Sequence, residues 1–180
     1  MTLSASLCGC DLLEPLIEGT PDARPRPTVD AGPIGEAAVG AHNAVRAAAL
    51  PAPTPPLEAV YWDEEAEAVA LDWAQHCRWM HSGTPGFGEN LYASTSFDDT
   101  VGDAVASWAS EAADYSYANN ACAMGKQCGH YTQIVWRESV GVGCAAWVCD
   151  TGSPFPSSSR WLNWVCNYVP PGNYVGYRPY

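Results

Sequence analysis

Three side chains in this 180-residue chain carry chemistry at positions where packing would favour apolar groups. His81 stands in "RWMHS", four residues after Cys77 on what reads as the inward side of a helix. Glu111 stands in "SWASE", at the flank of a stripe formed by Val101, Val105, Trp108, Ala112 and Tyr115 rather than opposite it. His130 opens the apolar run of "CGHYTQIVW". A carboxylate so near a buried face destabilises unless it is paired or hydrogen-bonded. Imidazoles and carboxylates brought together can do three things. They can hold a borderline cation such as Zn²⁺. They can activate a metal-bound water, with a carboxylate as base. Or they can form a satisfied polar cluster that only organises a cleft.

Other routes to catalysis are poorly supplied. The chain has no H-E-x-x-H and no G-x-S-x-G. Ser82 and Ser94 stand near the candidate site in sequence, but neither has a placed base or oxyanion donors. His42 falls on the apolar face of the first predicted helix and reads as a packed, hydrogen-bonded core histidine. The net charge of −12, with only 16% charged residues, argues against nucleic acid and anionic membrane surfaces, which both need clustered Lys and Arg.

The elements that must position these groups follow from the pattern of apolar residues. "GEAAVGAHNAVRAAAL", from Gly35, places Ala38, His42, Val45 and Ala49 on one face before Pro51 stops the helix. A second helix starts at Asp63, a suitable N-cap, with Glu64 and Glu65 at the positive end of its dipole. Its apolar face runs through Ala66, Val69, Ala70, Trp73, Cys77 and Met80. "GENLYAS" reads as a short strand, and a third helix is predicted over about 99–115. "VGVGCAAWVC" and "RWLNWVCNYV" read as antiparallel strands joined by the loop "DTGSPFPSSS". Helices first and strands later indicate an α+β sandwich.

Eight cysteines stand at 8, 10, 77, 122, 128, 144, 149 and 166, with no C-x-x-C pair. The six from 77 onward favour disulfides and an oxidising compartment, which leaves no thiol nucleophile. Cys149 and Cys166 fall on neighbouring predicted strands, and Cys122 and Cys128 bracket the short stretch "AMGKQ". That leaves Cys77 with Cys144, although six cysteines admit many connectivities and the residues alone do not choose. Residues 1–34 differ from the rest: "EGTPDARPRPTVDAGP" has the composition of a flexible tether. Ahead of it Leu7-Cys8-Gly9-Cys10 resembles a bacterial lipobox in which Cys10 would be lipidated; the plainer reading is two spare thiols in an arm. No uncharged apolar run approaches the ~20 residues of a membrane span, so membrane contact would come only through that anchor.

"GHYTQIVWRES" and "CNYVPPGNYVGY" resemble the paired signatures of the CAP superfamily, which contains the cysteine-rich secretory proteins, the venom antigen 5 group and the plant pathogenesis-related proteins of the first class. "AHNAVR", "HSGTPGFGENLYA", "SWASEAADYSY", "NACAMGKQCGHYTQIVW" and "VGCAAWVC" follow in the family's order, so the resemblance spans about residues 36–180. It departs locally at Asn163 and Trp164, before the cysteine of "LNWVCNY". The resemblance implies a disulfide-stabilised α+β fold, a three-layer α-β-α sandwich with a central antiparallel sheet over residues 35–180, and the cysteine pairing given above. It also implies a central cleft lined by His81, Glu89, Glu111 and His130, a metal-capable set for Zn or another divalent cation that folding would not require. Several members bind sterols or fatty acids, which makes Trp108, Tyr115 and Tyr117 a candidate aromatic lining. The C-terminal "PPGNYVGYRPY" matches a segment released as a signalling peptide in plant relatives; here it reads more simply as a tail docked on the sheet. The expectation is a secreted or lipid-anchored protein, extracellular or in the cell envelope, that binds a small apolar or sterol-like ligand without catalysis. The alternative is a metal-dependent hydrolase that uses Glu89 and Glu111.

Overall fold

The computed structural model describes residues 32–180. Cys8, Cys10 and most of the predicted tether therefore lie outside the described residues. Helix α1 spans Gly32–Ala47, starting three residues before the predicted Gly35. It is followed by β1 (Tyr61–Trp62), α2 (Glu64–Gln75), β2 (Gly88–Ser94) and α3 (Val101–Ser110). A single 3₁₀ turn, Glu111–Ala113, leads into the small hairpin β3 (Tyr115–Ser116) and β4 (Ala121–Cys122). Then come α4 (Gly129–Ile134) and the long strands β5 (Gly141–Cys149) and β6 (Trp161–Val169).

The main sheet has the order β1-β5-β6-β2. It is antiparallel except for the two-residue edge strand β1, which runs parallel to β5. Helix α2 covers one face, laying Ala66, Ala70 and Ala74 against β5 and β6. The approach is close because residue 143 is glycine. A Cβ there would stand 2.0 Å from the backbone nitrogen of Glu67, so any larger residue would push the helix off the sheet. Helices α1, α3 and α4 cover the other face, around a core that includes Val105, Trp108, Ile134, Val142, Trp164 and Tyr168. With both faces covered, eight of the nine residues of β6 are buried, which is why its sequence is apolar or aromatic almost throughout. The three-layer sandwich is the one the resemblance implies.

The start of α2 follows the sequence; two helix ends do not. The Asp63 carboxylate accepts the Ala66 N–H at 2.8 Å, and Thr100 with Asp103 forms a capping box at α3. Helix α2, however, stops at Gln75, because Cys77 takes a left-handed backbone (φ 53°). Cys77, Met80 and His81 therefore sit on a loop and not on the helical stripe, and the Trp73 indole holds that loop by donating to the Met80 carbonyl at 2.9 Å. Helix α3 likewise tightens after Ser110, so Tyr115 belongs to a strand.

The cysteine pairing is corrected at two of three bridges. Cys122–Cys128 is present as expected, but Cys144 pairs with Cys166 and Cys77 with Cys149. Strand register is the cause. The β5–β6 ladder sets Cys149 opposite Trp161 and Cys144 opposite Cys166, whose Cα atoms are 4.1 Å apart. Cys149, at the far end of β5, lies instead 5.5 Å from the Cα of Cys77 at the exit from α2.

Candidate functional site

The end of α3 delivers Glu111 to the start of α4. Glu111 Oε2 accepts the backbone N–H groups of His130 (2.9 Å) and Tyr131 (3.1 Å), two of the donors that a helix start leaves unpaired. Its Oε1 accepts the His130 ring at Nδ1, at 2.6 Å. This explains the misplaced carboxylate of the sequence: it caps one helix from the end of another. The Cys122–Cys128 bridge anchors the chain immediately before α4. The Trp108 indole stacks on the His130 ring (6.1 Å between centroids, 20° between planes) and donates to the Leu91 carbonyl of β2.

Glu89 lies on the edge strand β2. Its Oε1 accepts His81 Nδ1 at 2.8 Å and the Ser82 N–H at 2.9 Å. Its Oε2 is buried and accepts no hydrogen bond among the described residues. The two pairs differ in setting. The His81 side chain is 64% exposed, whereas that of His130 is 25% exposed.

Three of the four residues, His81, Glu89 and His130, line one cleft of about 450 Å³, with Trp79, Met80 and Leu91 forming an apolar wall. Glu111 stands behind His130 and does not line it. The set is thus two imidazole–carboxylate pairs rather than one four-ligand shell. Among the described residues, no three His, Cys, Asp or Glu converge as a metal-holding group.

Both carboxylates are held ionised. Burial pushes Glu89 and Glu111 upward, but hydrogen bonds from His81 and Ser82, and from His130 and Tyr131, outweigh it and keep each below the ordinary carboxylate range. The Glu89 hydrogen bond also raises the His81 ring above its usual value. An ionised carboxylate only accepts, so Nδ1 of each histidine carries the proton. In the neutral ring, the lone pair is then at Nε2. No protein group hydrogen-bonds to either Nε2 among the described residues. A carboxylate on one ring nitrogen with the other left open is the outer arrangement that orients a metal-ligating histidine.

His42 is a core residue, as its sequence position suggested. It is fully buried, bonds the Ala38 carbonyl through Nδ1 (2.7 Å) and the Tyr168 hydroxyl through Nε2 (2.9 Å), and burial lowers its pKa to about 4. None of Trp108, Tyr115 and Tyr117 lines the cleft of His81, Glu89 and His130. Trp108 is buried in the core, and the Tyr115 hydroxyl donates to Asn120 beside a second cleft of about 330 Å³. Tyr117 stacks on Tyr180 and donates to its carbonyl. The C-terminal tail docks there and on α4, through Asn173 to Gly129 and Thr132, rather than on the sheet. The apolar wall and the buried amide Asn90 were missed in the sequence. Trp79 and Met80 adjoin His81, and Asn90 and Leu91 adjoin Glu89. That adjacency was the available signal.

Comparison with known proteins agrees with this architecture. Residues 39–168 match the family model described as CAP, the cysteine-rich secretory protein family. A pathogenesis-related protein of PR-1 type from Sambucus nigra is 47% identical over 146 residues, 79% of each chain. Peptidase inhibitor 16 from Bos taurus is 39% identical across 98% of this chain, which covers 38% of that longer protein. Among solved structures, NaASP2 with Zn²⁺ superposes with a TM-score of 0.62 at 25% identity, over 84% of this chain and 86% of its own.

Proposed function

We propose that this chain, which belongs to the CAP or cysteine-rich secretory protein family, is a secreted, non-catalytic binding protein. Its ligand is a small apolar or sterol-like molecule lying against Trp79, Met80 and Leu91. The Nε2 atoms of His81 and His130 hold a divalent cation on the polar side of the same cleft. One observation carries this reading: each imidazole has its Nδ1 committed to a carboxylate, which leaves each Nε2 without a protein partner among the described residues, beside an apolar wall around about 450 Å³, a volume in the range of small-molecule sites. Three disulfides fit the oxidising setting of a secreted protein. That NaASP2 was solved with Zn²⁺ supports the cation.

The hydrolase alternative needs a carboxylate poised near the working pH as general base. Glu111 instead accepts three donors and Glu89 two, and both are held below their ordinary range. Bound Zn²⁺ would supply charge and a coordination point for a ligand head group. His81 and His130 would hold it, Glu89 and Glu111 would fix the rings, and Trp79 would shield the apolar side. Calorimetric Zn²⁺ titration, with fluorescent fatty-acid and sterol capture run in parallel, tests this. Zn²⁺ binding should fall at least about tenfold in His81→Ala and in His130→Ala, and Trp79→Ala should weaken lipid capture. Zn²⁺-dependent peptide hydrolysis abolished by Glu111→Gln would reverse the assignment.

A further inference from the structure

We infer that Asn90, Tyr168 and His42 form a buried positioning relay that fixes the His130 side of the cleft, so that one half of the cation site is built before a ligand arrives. This rests on reading His130 as a cation ligand, but its geometry stands on its own. Asn90 Nδ2 donates to the His130 carbonyl at 3.1 Å and to the Tyr168 hydroxyl at 3.0 Å. The Tyr168 hydroxyl is then free to donate to His42 Nε2, 2.9 Å away, and His42 Nδ1 donates to the Ala38 carbonyl at 2.7 Å. Asn90, Tyr168 and His42 are each at most 1% exposed. The chain runs from α1 through β6 and β2 to the first residues of α4, crossing every layer on that face of the sheet.

Each proton in the relay has one direction. An amide nitrogen only donates, so the tyrosine oxygen must accept from Asn90 and pass its own hydrogen to a neutral His42. No hydrogen is left to rotate, and buried networks satisfied in this way are rigid. At the far end, His130 is held at three atoms: its N and Nδ1 by Glu111, and its carbonyl by Asn90. A second limb braces the ring. Trp108 stacks on His130 and also lies 6.4 Å from the His42 ring. His81 has no such support among the described residues: there its ring makes one bond, to Glu89, and it is mostly exposed. The site is therefore asymmetric, with His130 held from several sides and His81 largely exposed.

The test is Zn²⁺ titration of the full chain in Asn90→Ala and Tyr168→Phe, with Val165→Ala as control. Val165 is fully buried, packed with Ala70, Ala74 and Leu91 away from the relay, so its truncation lowers stability without touching the relay. Zn²⁺ affinity should fall about tenfold in Asn90→Ala, the scale seen when an outer partner of a metal ligand is removed. It should fall less in Tyr168→Phe and stay unchanged in Val165→Ala, even where thermal midpoints drop equally. In the metal-free protein, the His130 ring NMR resonances should shift in both relay variants and stay fixed in the control. If Asn90→Ala does not fold, Tyr168→Phe decides. Relay variants that bind Zn²⁺ like wild type, or a control that loses affinity as much as they do, overturn the relay. A wild type that binds no Zn²⁺ overturns the cation reading, and the relay is then judged on the His130 resonances alone.

Discussion

Glu111→Gln keeps the shape of the side chain and changes what its two terminal atoms can do. In the native protein, Oε2 accepts two backbone N–H groups and Oε1 accepts His130 Nδ1. Glutamine has one acceptor atom and one donor. If its oxygen faces Nδ1, its NH₂ opposes two backbone donors, and each donor left unpaired costs about 1–3 kcal/mol. If its oxygen faces the backbone, those two bonds survive and its NH₂ points at Nδ1. The second orientation wins by a few kcal/mol on that scale. It forces Nδ1 to become the acceptor, which moves the ring proton to Nε2, the atom that would bind a cation. The variant should therefore fold, with stability lowered by about 1–3 kcal/mol for the lost charge-assisted bonds, and its Zn²⁺ affinity should drop by about 10–100-fold. Nitrogen-15 NMR of the metal-free protein reads the tautomer directly, and calorimetry reads the affinity. Native Zn²⁺ affinity together with a proton still on Nδ1 would refute the reasoning.

Two further outcomes follow from the core and the crosslinks. The folded pKa of His42, about 4, lies below the unfolded value of 6.5, so its neutral form is favoured by folding. Its contribution is intact above pH 6.5 and is lost as pH falls toward 4, about 3 kcal/mol in total. Urea unfolding between pH 7 and 4 should show that slope, and His42→Gln should flatten it above the range where Glu89 and Glu111 titrate; an unchanged slope would exclude His42 as its source. The Cys77–Cys149 bridge closes a loop with a sequence separation of 72, so Cys77→Ala with Cys149→Ala should lose about 4 kcal/mol, against about 2 for the bridge with a separation of 6. Non-reducing peptide mapping should recover Cys77 joined to Cys149, and a Cys77–Cys144 peptide would contradict the strand register.

Much of this architecture is legible along the chain where one short segment fixes its own geometry. Asp63 marks a helix start because the capping oxygen and the N–H it accepts are three residues apart; the Thr100 capping box has the same local spacing but was not read from the sequence. His42 is legible as a core residue because it falls on the same helical face as Ala38. Glu111 is suspect from sequence for the right reason, an inward-leaning carboxylate, but its partner lies 19 residues away, beyond any local pattern. The end of α2 is hidden because a left-handed residue at Cys77 leaves no compositional mark; a glycine there would have.

The sequence by itself determined the helix-then-strand order of an α+β sandwich, since periodicity is a local property, and its motifs carried the family resemblance that implied three layers and the set His81, Glu89, Glu111 and His130. Tertiary structure alone decided what they form. The β5–β6 register selected the disulfide partners, and the facing of Glu89 with His81 and of Glu111 with His130 divided an expected tetrad into two pairs. Trp108, Tyr115 and Tyr117 all fell outside the cleft that His81, Glu89 and His130 line. The physical reason is the same in each case. Register and facing are set by contacts between segments far apart in the chain, and no single stretch of residues contains both sides of such a contact.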